Sequence, residues 1–454
     1  MRDGLCATFV FGLLALGAPV AGAQTLEEAL VSAYLTNPRL EAQRAALRAT
    51  DELVAQALGG WRPRLAIDSA LIYNDIDSSA GADTFASKSA GLVLDQELYS
   101  GGETVATTER AERLVRLERA RLAAIEQDVL LEAVTVYTDV LAAEAVLDFA
   151  VQNENRLRRQ LQATRDRFEV GELTRTDVAQ SEARLSRAIA DRVRAEGALE
   201  AAKAGFRRVI NQEPVKLIVP QPLSGLPATE DEAHQLAEVS NPNIAAAQFG
   251  LAAARADVDV AQSVLLPRLS IRGQLTYTDD PNRLLSWQRD ASIGANLRVP
   301  LYQGGSEYAR VRQTKQTVRQ RRDDVETTFR AVRDEVTSAW QALITATTQI
   351  DSITAEVRAN EVAVEGARQE ALVGQTTTLD VLDQLADLFQ SQVDLVRARR
   401  DQIVASYRLK AAIGQLTASG IGLPVEPYDP ESYYGDVRSR LFGLGEDPNG
   451  KRGN

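Results

Sequence analysis

The chain has 454 residues, with 63 acidic against 51 basic side chains for a formal charge of −12, and aromatic residues make up only 5% of it. That charge repels nucleic acid, and the shortage of aromatics beside abundant alanine, leucine and valine suits long thin helices meeting along small-residue seams. The single histidine, His234, sits in a helical stretch of acidic and aliphatic residues and provides neither a triad nor a zinc cluster, so the chain is read as a non-enzyme without cofactor or metal.

Met1, Arg2 and Asp3 precede an apolar run from Leu5 to Leu16, then Pro19 and Ala21-Gly22-Ala23, the pattern of a secretory signal peptide over residues 1–23. The apolar run is about a dozen residues and too short to cross a bilayer as a helix. Cys6, the only cysteine, lies at the start of that run and not after it at the cleavage point, which argues against a lipid anchor. An exported chain starting at Gln24 then carries no thiol and no disulfide.

The remainder is a duplication. Asn37-Pro38 returns as Asn241-Pro242 and Pro63-Arg64-Leu65 as Pro267-Arg268-Leu269, both 204 residues later. Leu98-Tyr99-x-Gly101-Gly102 returns as Leu301-Tyr302-x-Gly304-Gly305, and Val170-Gly171 with Asp177-Val178 as Val373-Gly374 with Asp380-Val381, all 203 residues later. Repeat 1 spans 24–212, a proline-rich linker 213–228, repeat 2 229–416, and a tail rich in glycine and charge, read as partly disordered, fills 417–454.

Each repeat opens with a helix, over about 26–58 and 231–264, bent at its Asn-Pro pair. The period then changes to two. Strands are predicted over about 64–74 and 88–98, and over 268–278 and 290–299, with Leu269, Ile271, Leu275 and Tyr277 on one face against Ser270, Arg272, Gln274 and Thr276 on the other. Such segments have the length of tilted transmembrane strands, with lipid outside and water inside. The alternative is an ordinary antiparallel sheet resting its apolar face on a helix.

After Gly101-Gly102 the chain runs from Glu103 to Val170 without proline or glycine. Helices over about 103–170 and 306–373, each on the order of 100 Å long, are predicted to fold back at Gly171 and Gly374 into shorter ones over 175–210 and 378–413. The stripe Ile125, Val129, Ala133, Val136, Val140, Ala143 and Leu147 steps by fours and threes, as coiled-coil packing requires. The fold class expected is α+β, mainly α. Four strands cannot close a membrane barrel, because these begin at about eight, and open edges are not tolerated in lipid. Three copies would give twelve strands and a continuous helical tube.

The ordered set of strand, strand, long helix and short helix, given twice, resembles the TolC family of outer-membrane channel subunits over essentially the whole exported chain. Pro300-Leu301-Tyr302-x-Gly304-Gly305 and the two hairpin turns, Val170 to Val178 and Val373 to Asp383, carry the resemblance. Glu97 departs from it where repeat 2 has Pro300, and the tail, with Gly422-Leu423-Pro424-Val425, resembles the type I secretion branch. The resemblance implies a homotrimer with a twelve-stranded β-barrel and an α-helical barrel in the outer membrane of a Gram-negative bacterium. It also implies docking to a periplasmic adaptor (membrane fusion protein) and an inner-membrane ABC or RND transporter, as a passive duct for efflux or type I secretion.

The resemblance assigns Asp380 and Asp383 to the family's periplasmic aperture and Asp177 to the position whose contacts hold it shut, while the family's aromatic and basic latch partners are Ala371 and Thr376 here. Gly171, Leu173, Thr174, Gly374 and Thr377 fall at the turns that dock the adaptor. The other reading is local: aspartates favoured by the macrodipole in a first helical turn, and glycine and threonine as stops and caps. A periplasmic coiled-coil scaffold or adaptor without a barrel is the competing function.

Overall fold

The computed structural model describes residues 23–79, 81–282 and 284–445, so the signal segment lies, except for Ala23, outside the described residues. The elements are α1 (Leu26–Thr36), α2 (Pro38–Leu58), β1 (Arg64–Ser78), β2 (Gly81–Tyr99), α3 (Glu103–Glu169) and α4 (Arg175–Ile210). The same series follows as α5 (Glu230–Ser240), α6 (Pro242–Ser263), β3 (Arg268–Asn282), β4 (Leu285–Arg298), α7 (Ser306–Leu372) and α8 (Thr378–Ala412), with a short α9 (Ser432–Arg438) in the tail. The described residues are mainly helical, with one sheet.

Two helices expected as continuous are each divided in two. Proline disfavours the helical conformation of the residue before it, and Asn37 and Asn241 are extended, with ψ of 121° and 120°. Each then caps the next helix through its side chain, to Arg39 N at 3.0 Å and to Asn243 N at 2.9 Å, with proline at the first helical position.

The described residues fall into two compact units, 23–32 with 133–221 and 356–400, and 33–132 with 222–355 and 401–445. The first holds the two hairpin turns, with α3 from Ala133, all of α4, α7 from Glu356 and α8 as far as Arg400. Its core includes Tyr137 and Phe206, both fully buried, with ring centroids 6.3 Å apart. The Tyr137 hydroxyl donates toward the carbonyls of Gln24 and Ile218, each at 2.8 Å, and so fastens the start of the described chain and the linker to α3.

The second unit contains the sheet, of order β1-β2-β3-β4 and antiparallel throughout. Its register lines up Ile67, Leu92, Leu275 and Ala291 across all four strands, and Leu65, Leu94, Gly273 and Ile293 beside them. The opposite face carries Ala66, Val93, Gln274 and Ser292 in one row and pairs Asp95 with Arg272 at 2.6 Å. The apolar face does not rest on a helix: Ile67 is 78% exposed and Ile293 82%.

Strands run further than predicted because alternation reports what the side chains face, whereas pairing is a property of the backbone. Asp75 pairs with Thr84 and continues the ladder through two polar side chains. At the other end β2 reaches Tyr99 through a bulge between Glu97 and Tyr99, while β4 stops at Arg298, ahead of Pro300, which has no N–H to donate. Glu97 in place of proline thus leaves β2 free to extend.

A seam of Ala233, Ala237, Ile244, Val332, Val336, Ala339, Leu409, Ala412 and Ile413 forms a helical core in this unit. The tail, expected to be partly disordered, is fastened as far as Gly445, and residues 446–454 lie outside the described ones. Its Tyr428 N donates to the Tyr34 hydroxyl at 2.9 Å, and the Arg44 guanidinium lies 4.8 Å from the Tyr34 ring and 5.1 Å from that of Tyr428. Cation–π attraction of this kind holds a charged group that is 7% exposed without full hydration.

Candidate functional site

The two hairpin turns have one local design, built by glycine and threonine. Helix α3 ends as Gly171 takes φ of +80°, which lets Gly171 N reach Phe168 O and Glu172 N reach Arg167 O, both at 2.9 Å. Helix α7 ends likewise at Gly374, φ +75°, with Gln375 N on Glu370 O at 2.9 Å. Only glycine holds that left-handed conformation without a Cβ penalty. Leu173 is half-buried between the stop and the next helix.

Thr174 then caps α4. Asp177 N donates to its hydroxyl at 3.3 Å, and the Asp177 carboxylate accepts in return from Thr174 N at 2.9 Å and Thr174 Oγ1 at 2.7 Å. At α8 the Asp380 carboxylate gathers three donors on one oxygen: Thr377 Oγ1 at 2.6 Å, Thr376 Oγ1 at 2.8 Å and Thr377 N at 2.9 Å. The Thr174 hydroxyl and amide hold Asp177 below the usual carboxylate range, and the Thr377 hydroxyl, its amide and the Thr376 hydroxyl do the same for Asp380. Both aspartates are therefore anionic at neutral pH and are engaged by their own helix ends.

Asp383 behaves differently. One turn into α8, it reaches across to the Arg184 guanidinium of α4 in a close ion pair. Arg167 makes a second tie between the hairpins, bonding Glu172 at 2.9 Å and donating to the Ala371 carbonyl at the C-terminal end of α7 at 3.1 Å. A cation there also meets the negative end of the helix dipole. The structure thus unites Asp383 with Arg184 but leaves Asp177 and Asp380 in separate caps. Ala371 contributes its carbonyl to these contacts and Thr376 its hydroxyl.

Arg167 and Arg184 were not identified from the sequence, since each acts on a group about 200 residues away and neither lies in a repeated motif. For the caps the consequence is measurable. Thr174→Ala removes one hydrogen-bond acceptor for the helix start, and is expected to lower local stability by about 1 kcal/mol. Amide exchange in the first turn of α4 should quicken accordingly, with α8 unchanged; unaltered exchange would mean that the box contributes nothing.

The outer membrane efflux protein family matches residues 29–212 and again 233–415, the same two segments that the internal repetition marks out. The chain belongs to this family. It is 34% identical over 423 residues to the outer membrane efflux protein BepC of Brucella suis biovar 1, covering 93% of this chain and 92% of that one. It is 28% identical to the outer membrane protein TolC of Vibrio cholerae, covering 91% and 96% respectively, and 27% identical over 331 residues to the alkaline protease secretion protein AprF of Pseudomonas aeruginosa, covering 69% and 66%. Among solved structures, the CmeC outer membrane channel of Campylobacter jejuni shares the fold with a TM-score of 0.79 at 15% identity, covering 91% of this chain and 89% of that one.

The chain is accordingly an outer-membrane channel subunit of the class serving efflux and type I secretion. This removes the scaffold without a barrel. No described helix is long and apolar enough to cross a membrane.

Proposed function

We propose that three copies close their sheets edge to edge into a twelve-stranded barrel, and that the hairpin turns converge into a periplasmic aperture bearing Asp177, Asp380 and Asp383. The observation that carries this is a four-stranded sheet with an exposed apolar face and two open edges, β1 and β4. Unpaired backbone is not tolerated in hydrocarbon, so each edge requires a partner strand, and a second copy supplies one. A ring of carboxylates at a narrow mouth attracts cations and resists anions. Helix N-termini alone explain why aspartate occupies positions 177 and 380; Asp383, paired with Arg184 of the other hairpin, has no such local duty and bears more directly on the aperture.

In this reading Gly171, Leu173, Thr174, Gly374 and Thr377 present the turns to a periplasmic adaptor, which couples the duct to an inner-membrane ABC or RND transporter. The names of the relatives support both efflux and protein secretion as cargo routes.

Single-channel conductance in planar bilayers tests the reading. The native protein should give discrete conductance with cation preference, and Asp380→Ala with Asp383→Ala should reduce that preference. Arg184→Ala should raise the open probability by releasing the tie between hairpins. Conductance whose selectivity is indifferent to the double substitution would keep the channel and remove the acidic ring. Absence of conductance from protein shown to be inserted would remove the open-edge argument.

A further inference from the structure

The last described residues of the tail make a feature that neither the barrel nor the aperture uses. Leu441, Phe442 and Leu444 are 65%, 89% and 105% exposed. Water-facing side chains this large and this close together are unfavourable unless something covers them. The backbone beneath them is built rather than loose. The Arg440 guanidinium donates to Phe442 O at 3.1 Å and to Gly445 O at 3.0 Å, so that the segment wraps around it. Gly443, with φ of +119°, permits this, and a Cβ there would lie 2.5 Å from the guanidinium. With the backbone turned inward onto Arg440, the three apolar side chains face outward.

The position of the segment identifies its partner. Val437 is fully buried, Arg438 pairs with Glu112 at 3.1 Å, and the Arg440 carbonyl accepts from Arg62 at 2.9 Å. Arg62 lies two residues before the start of β1, and the neighbouring Trp61, itself half exposed, accepts through its carbonyl from Gln96 of β2 at 3.3 Å. The described part of the tail therefore reaches the rim where all four strands meet their helices. The sheet's exposed apolar rows begin at the same rim, with Leu65, and the chain belongs to a family of outer-membrane proteins. Aromatic and arginine side chains at such a rim occupy the headgroup layer.

We propose that Leu441, Phe442 and Leu444 form an interfacial anchor that inserts into the periplasmic leaflet of the outer membrane, its partner being phospholipid. It fastens the helical region below the barrel to the lipid surface. A second copy of the chain is the rival occupant; continuity with the membrane-facing rows of the same chain favours lipid.

Nitroxide labels test this in the full-length channel in phospholipid nanodiscs, in a Cys6→Ser background that leaves no native thiol. Labels at Phe442→Cys and Leu444→Cys should collide more with oxygen than with a water-soluble nickel complex, and Val239→Cys, on an exposed helical position, should show the reverse. Labels at 442 and 444 that behave like the one at 239 would overturn the anchor. Labels shielded from both reagents, and still shielded in lipid-free detergent, would overturn it in favour of a neighbouring copy. Ile293→Cys reports the sheet's own insertion, and a water-accessible label there would remove the sheet's placement and the tail's with it.

Discussion

Ile293→Arg is expected to abolish accumulation of the folded channel in the membrane, while Ser292→Arg, one residue away, leaves it nearly intact. The contrast rests on the register. Ile293 stands in the row with Leu65, Leu94 and Gly273, and Ser292 in the row with Ala66, Val93 and Gln274 on the other face. In the single chain Ile293 is 82% exposed, and a substitution at so open a site in water would change stability by no more than about 0.5 kcal/mol. On the lipid face of a barrel, arginine costs roughly 2–4 kcal/mol near the midplane, and a symmetric assembly multiplies that cost by its copy number. The aqueous face has no such penalty. Refolding into phospholipid vesicles, read as the fraction protected from protease, distinguishes the two. Equal yields would mean that the apolar face meets protein or water instead of lipid.

The parts of this architecture legible from sequence are those governed by neighbours along the chain. Repeats separated by 203 or 204 residues, glycine stops followed by Thr-x-x-Asp, and period-two alternation are each local patterns, and each has a counterpart in the elements observed. The Asn-Pro pairs were visible too, but a bend was inferred where asparagine makes a complete cap and divides the helix. Strand ends were misjudged because the apolar alternation stops before the backbone ladder does, as at Asp75 and Thr84.

What escaped the sequence is what tertiary packing decides. Arg184 and Asp383 are 199 residues apart and Arg167 and Ala371 are 204 apart, so no spacing rule joins them. The tail's composition, glycine and charge, resembles that of a disordered segment, yet its charges are spent on particular partners: Glu431 on Arg119 at 2.8 Å, Arg438 on Glu112, and the Tyr433 hydroxyl on Glu52 at 2.9 Å. Composition records how many charges a segment has and not whether a folded surface awaits them.

The same packing of the tail creates a pH dependence whose sign can be stated. Asp51 of α2 is 1% exposed, and neither carboxylate oxygen has a hydrogen-bond partner among the described residues. Burial pushes its pKa up to about 6 from 3.8; Arg119 opposes the rise and Glu52 adds to it. The folded chain thus holds this proton more tightly than the unfolded one. The associated stability is complete below about pH 4, declines as pH rises toward 6, and is gone above it. At pH 7.5 the native state carries a buried, unpartnered anion at a cost on the order of 3 kcal/mol. Asp51→Asn, uncharged and of similar volume, should therefore raise the thermal midpoint at pH 7.5 and leave it almost unchanged at pH 4. An equal shift at both values would place the effect in packing. A lowered midpoint at pH 7.5 would show instead that attraction to Arg119 outweighs desolvation, making Asp51 half of a stabilising ion pair under α9.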